Sequence, residues 1–95
     1  GPVVAVASTT VRLPGVLRPA IGGVREVSVN GTTVREAVED LCRQHPTLTV
    51  RLFDEDGHLR RHVLCVHNGA TTRLDDELAL ADGDELAILP AVSGG

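Results

Sequence analysis

Lysine is absent from this chain, and all nine of its cationic side chains are arginine. The chain therefore offers no side-chain amine for a Schiff base, a phosphate clamp or an isopeptide bond to itself, and only the α-amino group remains. Tryptophan, tyrosine and methionine are missing as well, and Phe53 is the single aromatic. The core must then be assembled from Val, Leu, Ile and Ala, an aliphatic and β-branched stock that suits a sheet. No apolar run approaches the roughly 20 residues of a membrane span, and no h-region marks a signal peptide. Positive charge is in deficit too: 13 acidic residues against nine arginines leave a net charge of -4. Phosphate-backbone attraction is thus no basis for binding nucleic acid, and a basic or apolar protein partner is the better match. Cysteine is limited to Cys42 and Cys65 without CxxC spacing, so a reducing, cytoplasmic home is the expectation.

With 95 residues there is room for one small domain. Gly1-Pro2 reads as the scar of a cleaved tag, with residues 1–7 as an N-terminal extension. From Ser8 to Leu13, Val11 and Leu13 alternate with Thr10 and Arg12, which predicts a first strand ended by Pro14-Gly15. Val24 to Val29 reads as a second strand paired with it as a hairpin, and Asn30-Gly31 as a turn. Thr33 and Glu36 have capping-box spacing, in which Glu36 reaches back to the Thr33 amide. In the helix that follows, Val34, Ala37, Val38 and Leu41 form one apolar stripe, up to His45-Pro46. Val50, Leu52 and Phe53 are expected to pack beneath the end of the sheet. Asp54 to Gly57 is a solvated turn, Val63 to His67 a third long strand closed by Asn68-Gly69, and Leu74 to Leu78, with mixed signals, a short turn or helical loop. Ala81-Asp82-Gly83-Asp84 turns into a last strand at Glu85 to Leu89. One helix lying across a mixed four- to five-stranded sheet is the compact α+β solution for this order.

Gly94-Gly95 follow that last strand after Pro90, with only Ala91, Val92 and Ser93 between. Glycine has no Cβ, so such a pair fits a channel too narrow for other residues. The five residues beyond Pro90 reach about 17 Å when extended. The tail has the form of a segment made to be inserted, with the Gly95 α-carboxylate as its reactive group.

The element order, Val66-His67-Asn68-Gly69, the run from Leu80 to Pro90 and the Gly94-Gly95 ending together resemble the ubiquitin-like sulfur carriers of the MoaD and ThiS group. The resemblance runs from about Thr10 onward. Val16-Leu17-Arg18-Pro19 with Gly22-Gly23, and the ending from Leu89 to Gly95, are similar to the actinobacterial carriers that serve cysteine biosynthesis. Ala87, Ile88 and Leu89 stand where molybdopterin carriers usually show aromatics. The resemblance implies a β-grasp domain over residues 8–90 and a flexible diglycine tail over residues 91–95. It implies a cosubstrate rather than an enzyme, with no cofactor bound to the chain and a monomeric state alone. An E1-like enzyme of the MoeB or ThiF type would use ATP and Mg²⁺ to adenylate Gly95. A sulfur donor then leaves a thiocarboxylate, which feeds a synthase of cysteine, thiosugar, molybdopterin or thiamin formation. In that scheme Gly94 gives clearance and Ala91, Val92 and Ser93 are the leash. A ubiquitin-like modifier joined to lysines, or the small subunit of a synthase such as molybdopterin synthase, would use the same tail.

Other constellations are weaker. His58 and His62 have i, i+4 spacing, but Gly57 and the strand at Val63 argue against a helix, and zinc sites normally take three or four ligands. Cys42 and Cys65 fall at expected core positions, where thiols are inert. Asp54-Glu55-Asp56 and Asp75-Asp76-Glu77 read as solvated turns, and Ser93 has no base placed beside it. Along the last strand either Leu86 and Ile88 or Ala87 and Leu89 must face away from the helix. With Pro90, the outward pair forms an apolar partner surface beside the tail; Pro90, Leu89 and Ala87 are the candidate residues.

Overall fold

Alternation in the first segment is realised as strand β1, Ser8–Arg12, in which Thr9 and Val11 are buried while their neighbours turn to the other face. The computed structural model describes residues 8–91. After a 3₁₀ turn at Arg18–Ile21 the chain returns as β2, Glu26–Asn30, antiparallel to β1. The register sets Val11 against Val27 and Thr9 against Val29, giving an inward row of cross-strand pairs. Gly31 serves clearance rather than an unusual backbone angle: a Cβ there would lie 2.7 Å from the amide nitrogen of Ala37.

The main helix, α1, spans Val34–Gln44 and begins at Thr33, whose hydroxyl accepts from the Glu36 amide at 3.2 Å. The other arm of the expected capping box goes elsewhere. Glu36 accepts from the amide and hydroxyl of Thr32, at 2.8 and 2.7 Å, and not from the Thr33 amide. The Thr32 carbonyl and Val34 amide are bonded to Leu80 and Leu78. This holds the entry extended and presents Thr32 to the carboxylate. The predicted stripe holds, with Val34, Ala37, Val38 and Leu41 all fully buried against the sheet.

His45 ends α1, but the chain then forms a 3₁₀ turn, Pro46–Leu48, and a one-turn helix α2, Thr49–Leu52. This corrects the expected packing of Val50. On a helical turn Leu48 and Leu52 share a face and are fully buried, whereas Val50 lies opposite and is 69% exposed. Phe53 is half-buried against the core.

Strand β3, Val63–His67, turns back through Asn68 and Gly69, both at positive φ, into a short β4, Ala70–Thr72, which Ala-Thr-Thr did not announce. The last strand, β5, runs Glu85–Pro90 between β1 and β3, parallel to the first and antiparallel to the second. The sheet is five-stranded and mixed, in the order β2-β1-β5-β3-β4.

The turn entering β5 is tied down by Asp84. Its carboxylate accepts from the Ala81 amide at 3.0 Å and from the Asn68 side chain at 3.1 Å, and lies 2.8 Å from His67 Nε2. Asn68 in turn accepts from the Glu85 amide at 2.8 Å. These donors, the Ala81 amide foremost, hold the Asp84 carboxyl at a pKa of about 2. Because the folded pKa lies below the ordinary value of 3.8, the stabilisation is complete above that value and is lost as pH falls toward about 2. The melting temperature is expected to drop across this window, and Asp84→Asn to flatten the drop. Thr9 carries a second prediction, since its hydroxyl is buried with no partner among the described residues. Thr9→Val is expected to add about 1 kcal/mol, read as a higher urea midpoint at unchanged slope.

Candidate functional site: the outer sheet face and the root of the tail

Pairing on both sides of β5 decides which of its residues face away from the helix. Cys65 lies opposite Ile88 and Val11 opposite Leu86, and all four are buried on the helix side. The alternate pairs, Leu64 with Leu89 and Val66 with Ala87, therefore occupy the outer face. Leu64 is 36% and Leu89 43% exposed. Together these four residues form a small apolar patch, bordered by Arg12 of β1 opposite Ala87 and Thr71 of β4 opposite Val66. The outward pair is thus Ala87 and Leu89, with exposed Pro90 directly after them.

Pro90 pairs with Val63, and the Ala91 amide donates to the His62 carbonyl at 2.8 Å. Strand-like bonding thus continues one residue past Pro90, into the first residue assigned to the leash. Val92, Ser93, Gly94 and Gly95 lie outside the described residues. β5 therefore supplies Ala87 and Leu89 to the patch and leads into the root of the tail, where Pro90 and Ala91 are bonded on the β3 side.

Neither cysteine is prepared for sulfur chemistry. Cys65 is 1% exposed, and burial pushes its thiol up to about 11. Burial likewise raises Cys42, on the inner side of α1. Both stay protonated near neutral pH, whereas the thiolate is the nucleophile. The segment from His58 to His62 is not helical. The metal-capable group brought together is Asp54, Asp56 and His58, with ligand atoms within 4.8 Å of one another on an exposed turn. That turn already uses Asp54 Oδ1 to accept the amides of Asp56 and His58, at 2.9 and 3.0 Å. In the second acidic group, Asp75 pairs with Arg35 and Asp76 accepts from the Arg73 amide at 3.1 Å. Asp54 and Asp76 fasten their own turns, whereas Asp75 ties the second turn to Arg35 of α1.

Opposite faces of β5 are expected to respond differently to charge. Leu86→Asp places a carboxylate in the core and is expected to prevent folding. Leu89→Asp loses one cross-strand pair and is expected to lower the melting temperature by no more than about 8 °C. Thermal melts followed by circular dichroism check both.

Residues 11–95 match the ThiS family. Sulfur carrier protein CysO of Mycobacterium tuberculosis is 39% identical over 92 residues, covering 93% of this chain and 99% of that protein. Among solved structures, SAMP1 from Haloferax volcanii superposes with a TM-score of 0.82 at 38% identity, covering 94% of this chain and all of that one. The Amycolatopsis orientalis BexX/CysO complex matches with a TM-score of 0.77 at 36% identity, over 92% of this chain and 99% of the matched chain.

Proposed function

The chain belongs to the ThiS family of ubiquitin-like, β-grasp proteins, and we propose that it is a sulfur carrier whose Gly95 α-carboxylate is converted to a thiocarboxylate. The observation that supports this most directly is continuity. The family match extends through Gly95, and the strand leading toward it is fixed at the centre of the sheet beside an exposed apolar face. Such a strand aims a tail, and the outer face of Leu64, Val66, Ala87 and Leu89 receives the enzyme that takes it.

In this reading the carboxylate, with an ordinary pKa of about 3.3–3.7, is anionic at neutral pH and weakly nucleophilic. A carboxylate oxygen attacks the α-phosphorus of ATP and pyrophosphate leaves, giving an acyl-adenylate on Gly95. The E1-like activating enzyme supplies Mg²⁺ and the positive charge that holds the phosphates in line. A sulfur nucleophile at the sulfide level then attacks the acyl carbon, AMP leaves, and Gly95 carries a thiocarboxylate. Transfer of that sulfur to a substrate held by a biosynthetic synthase closes the cycle. Gly94 leaves room for the narrow approach, and residues 91–93 provide the reach. The buried thiols Cys42 and Cys65 stay outside the chemistry. The carrier acts as a monomeric cosubstrate rather than a catalyst, in the cytoplasm, where ATP and reduced sulfur are both present. Among the described residues no helix is long and apolar enough to cross a membrane. A CysO in complex with BexX in A. orientalis supports a carrier that works by docking on a partner. Synthases of cysteine, thiosugar, molybdopterin or thiamin formation are the candidate acceptors.

Incubation with ATP, Mg²⁺, a sulfide source and the activating enzyme of the same genome is expected to raise the intact mass by the exchange of one oxygen for sulfur. Deletion of Gly95 is expected to abolish the gain, and Gly94→Val to slow it on the order of 10²-fold through misplacement of the reacting group. An unchanged mass together with lysine-linked adducts on other proteins would identify a protein modifier instead.

A further inference from the structure

At the end of the sheet where the tail leaves, the connection between β1 and β2, the α2 turn and the chain entering β3 enclose a groove of about 320 Å³. Its apolar wall includes Val16, Val50 and Leu89, which are 68%, 69% and 43% exposed. They are the three most exposed large hydrophobics among the described residues. Its polar lining is Arg51, Arg60 and His62, and no carboxylate lines it. Arg60 is fixed there, because its Nε donates to the Val50 carbonyl at 2.8 Å. The ion pairs among the described residues use Arg12, Arg35 and Arg43; Arg51 and Arg60 form none, and Arg60 feels the nearby Asp54 carboxylate without pairing to it.

Charge is segregated along β5. Asp82, Asp84 and Glu85 cluster where the strand begins. Around its far end, Arg12 and Arg18 line a neighbouring cleft that shares Pro14, Ile88 and Leu89 with the groove. Four of the nine arginines thus collect around the root of the tail in a chain whose net charge is -4, and of these Arg12 alone is ion-paired, with Glu26. Extended into a partner, the five residues beyond Pro90 would carry the reacting carboxyl about 17 Å from this collar, so its positive charge suits recognition and not the chemistry of ATP. An apolar cleft with unpaired guanidinium groups on its rim complements an apolar side chain flanked by carboxylates.

We propose that the groove is a docking site for an acidic, apolar segment of the activating enzyme, with an apolar anchor between Val16 and Val50 and carboxylates on Arg51 and Arg60. The proposal rests on the sulfur-carrier reading. It adds a second contact to the outer sheet face, on the side of the tail root toward α2. Two contacts flanking one strand fix the direction in which the tail enters the enzyme. That lowers the ordering cost of insertion.

The test is the steady-state kinetics of thiocarboxylate formation with the full chain and the activating enzyme, comparing wild type, Val50→Asp, Arg51→Glu and, as a control on the far side of α1, Arg43→Glu. Val50 and Arg51 are exposed, and melting temperatures close to wild type establish that the variants fold. The expected result is a KM for the carrier raised about tenfold or more by Val50→Asp and by Arg51→Glu, with kcat changed less than about twofold. The control is expected to match wild type, and added salt to raise the wild-type KM more than that of Arg51→Glu. Wild-type loading with unchanged KM in both groove variants, or a loss confined to kcat, overturns the groove proposal and leaves the carrier reading standing. Failure of wild type itself to gain sulfur overturns the carrier reading, and the proposal with it.

Discussion

The structure depends on one arrangement, the insertion of the last strand between the first and the third. β5 bonds to β1 on one edge and to β3 on the other, and it buries Leu86 and Ile88 completely. Each of those side chains contributes about 1.5–3 kcal/mol by leaving water, so the sheet does not close until the end of the domain is in place. β5 is thus bonded on both edges at Glu85–Ala87, and its end at Pro90 and Ala91 is bonded on the β3 side. In the proposed reading, a reactive end that must find a buried site benefits from leaving a paired strand, because this narrows its direction of entry.

Strand alternation lets one segment do two jobs. Leu86 and Ile88 hold the fold, while Ala87 and Leu89 form the outer patch with Val66 and Leu64. A slip of one residue would exchange the two sets, so register has to be held firmly. The hydrogen bonds of Asp84 and Asn68 do this at the start of β5, joining its entry turn to the turn after β3. The edge strand β2 is covered in part from α1: Asp40 accepts from the Asn30 amide and Gln44 donates to the Ser28 carbonyl. Open strand edges invite pairing with other chains, and these bonds occupy part of this one.

In the proposed reading, side chains of this domain supply recognition and the chemistry stands at the backbone terminus. Burial leaves both thiols protonated. The acidic turns fasten themselves through Asp54, Asp76 and Asp84. What faces outward around the tail root is apolar surface and arginine. A carrier visited by successive enzymes, as proposed, would gain from this division, because its docking surface can be specific while its reactive group stays the same.

Much of this was legible in the order of residues because the forces involved are local. The stripe of Val34, Ala37, Val38 and Leu41, the stop at His45-Pro46 and the turn at Asn68-Gly69 follow from periodicity and backbone sterics. So does the β-β-α-β order. The helical turn at Thr49–Leu52 was not legible, since four residues carry too little pattern and Leu48 and Leu52 are drawn in by the core they complete. That turn exposed Val50 and Arg51 and so produced the groove. Nor does any local signal show that Ala70–Thr72 is a strand, because its pairing partner supplies the reason. The sequence by itself determined β1, β2, α1, β3 and β5, the aliphatic core and the diglycine ending. Only the tertiary structure decided that Ala87 and Leu89 face out, and that Arg12, Arg18, Arg51 and Arg60 gather at the tail. Those outcomes depend on contacts between residues far apart in the chain, and no property of a single segment encodes them.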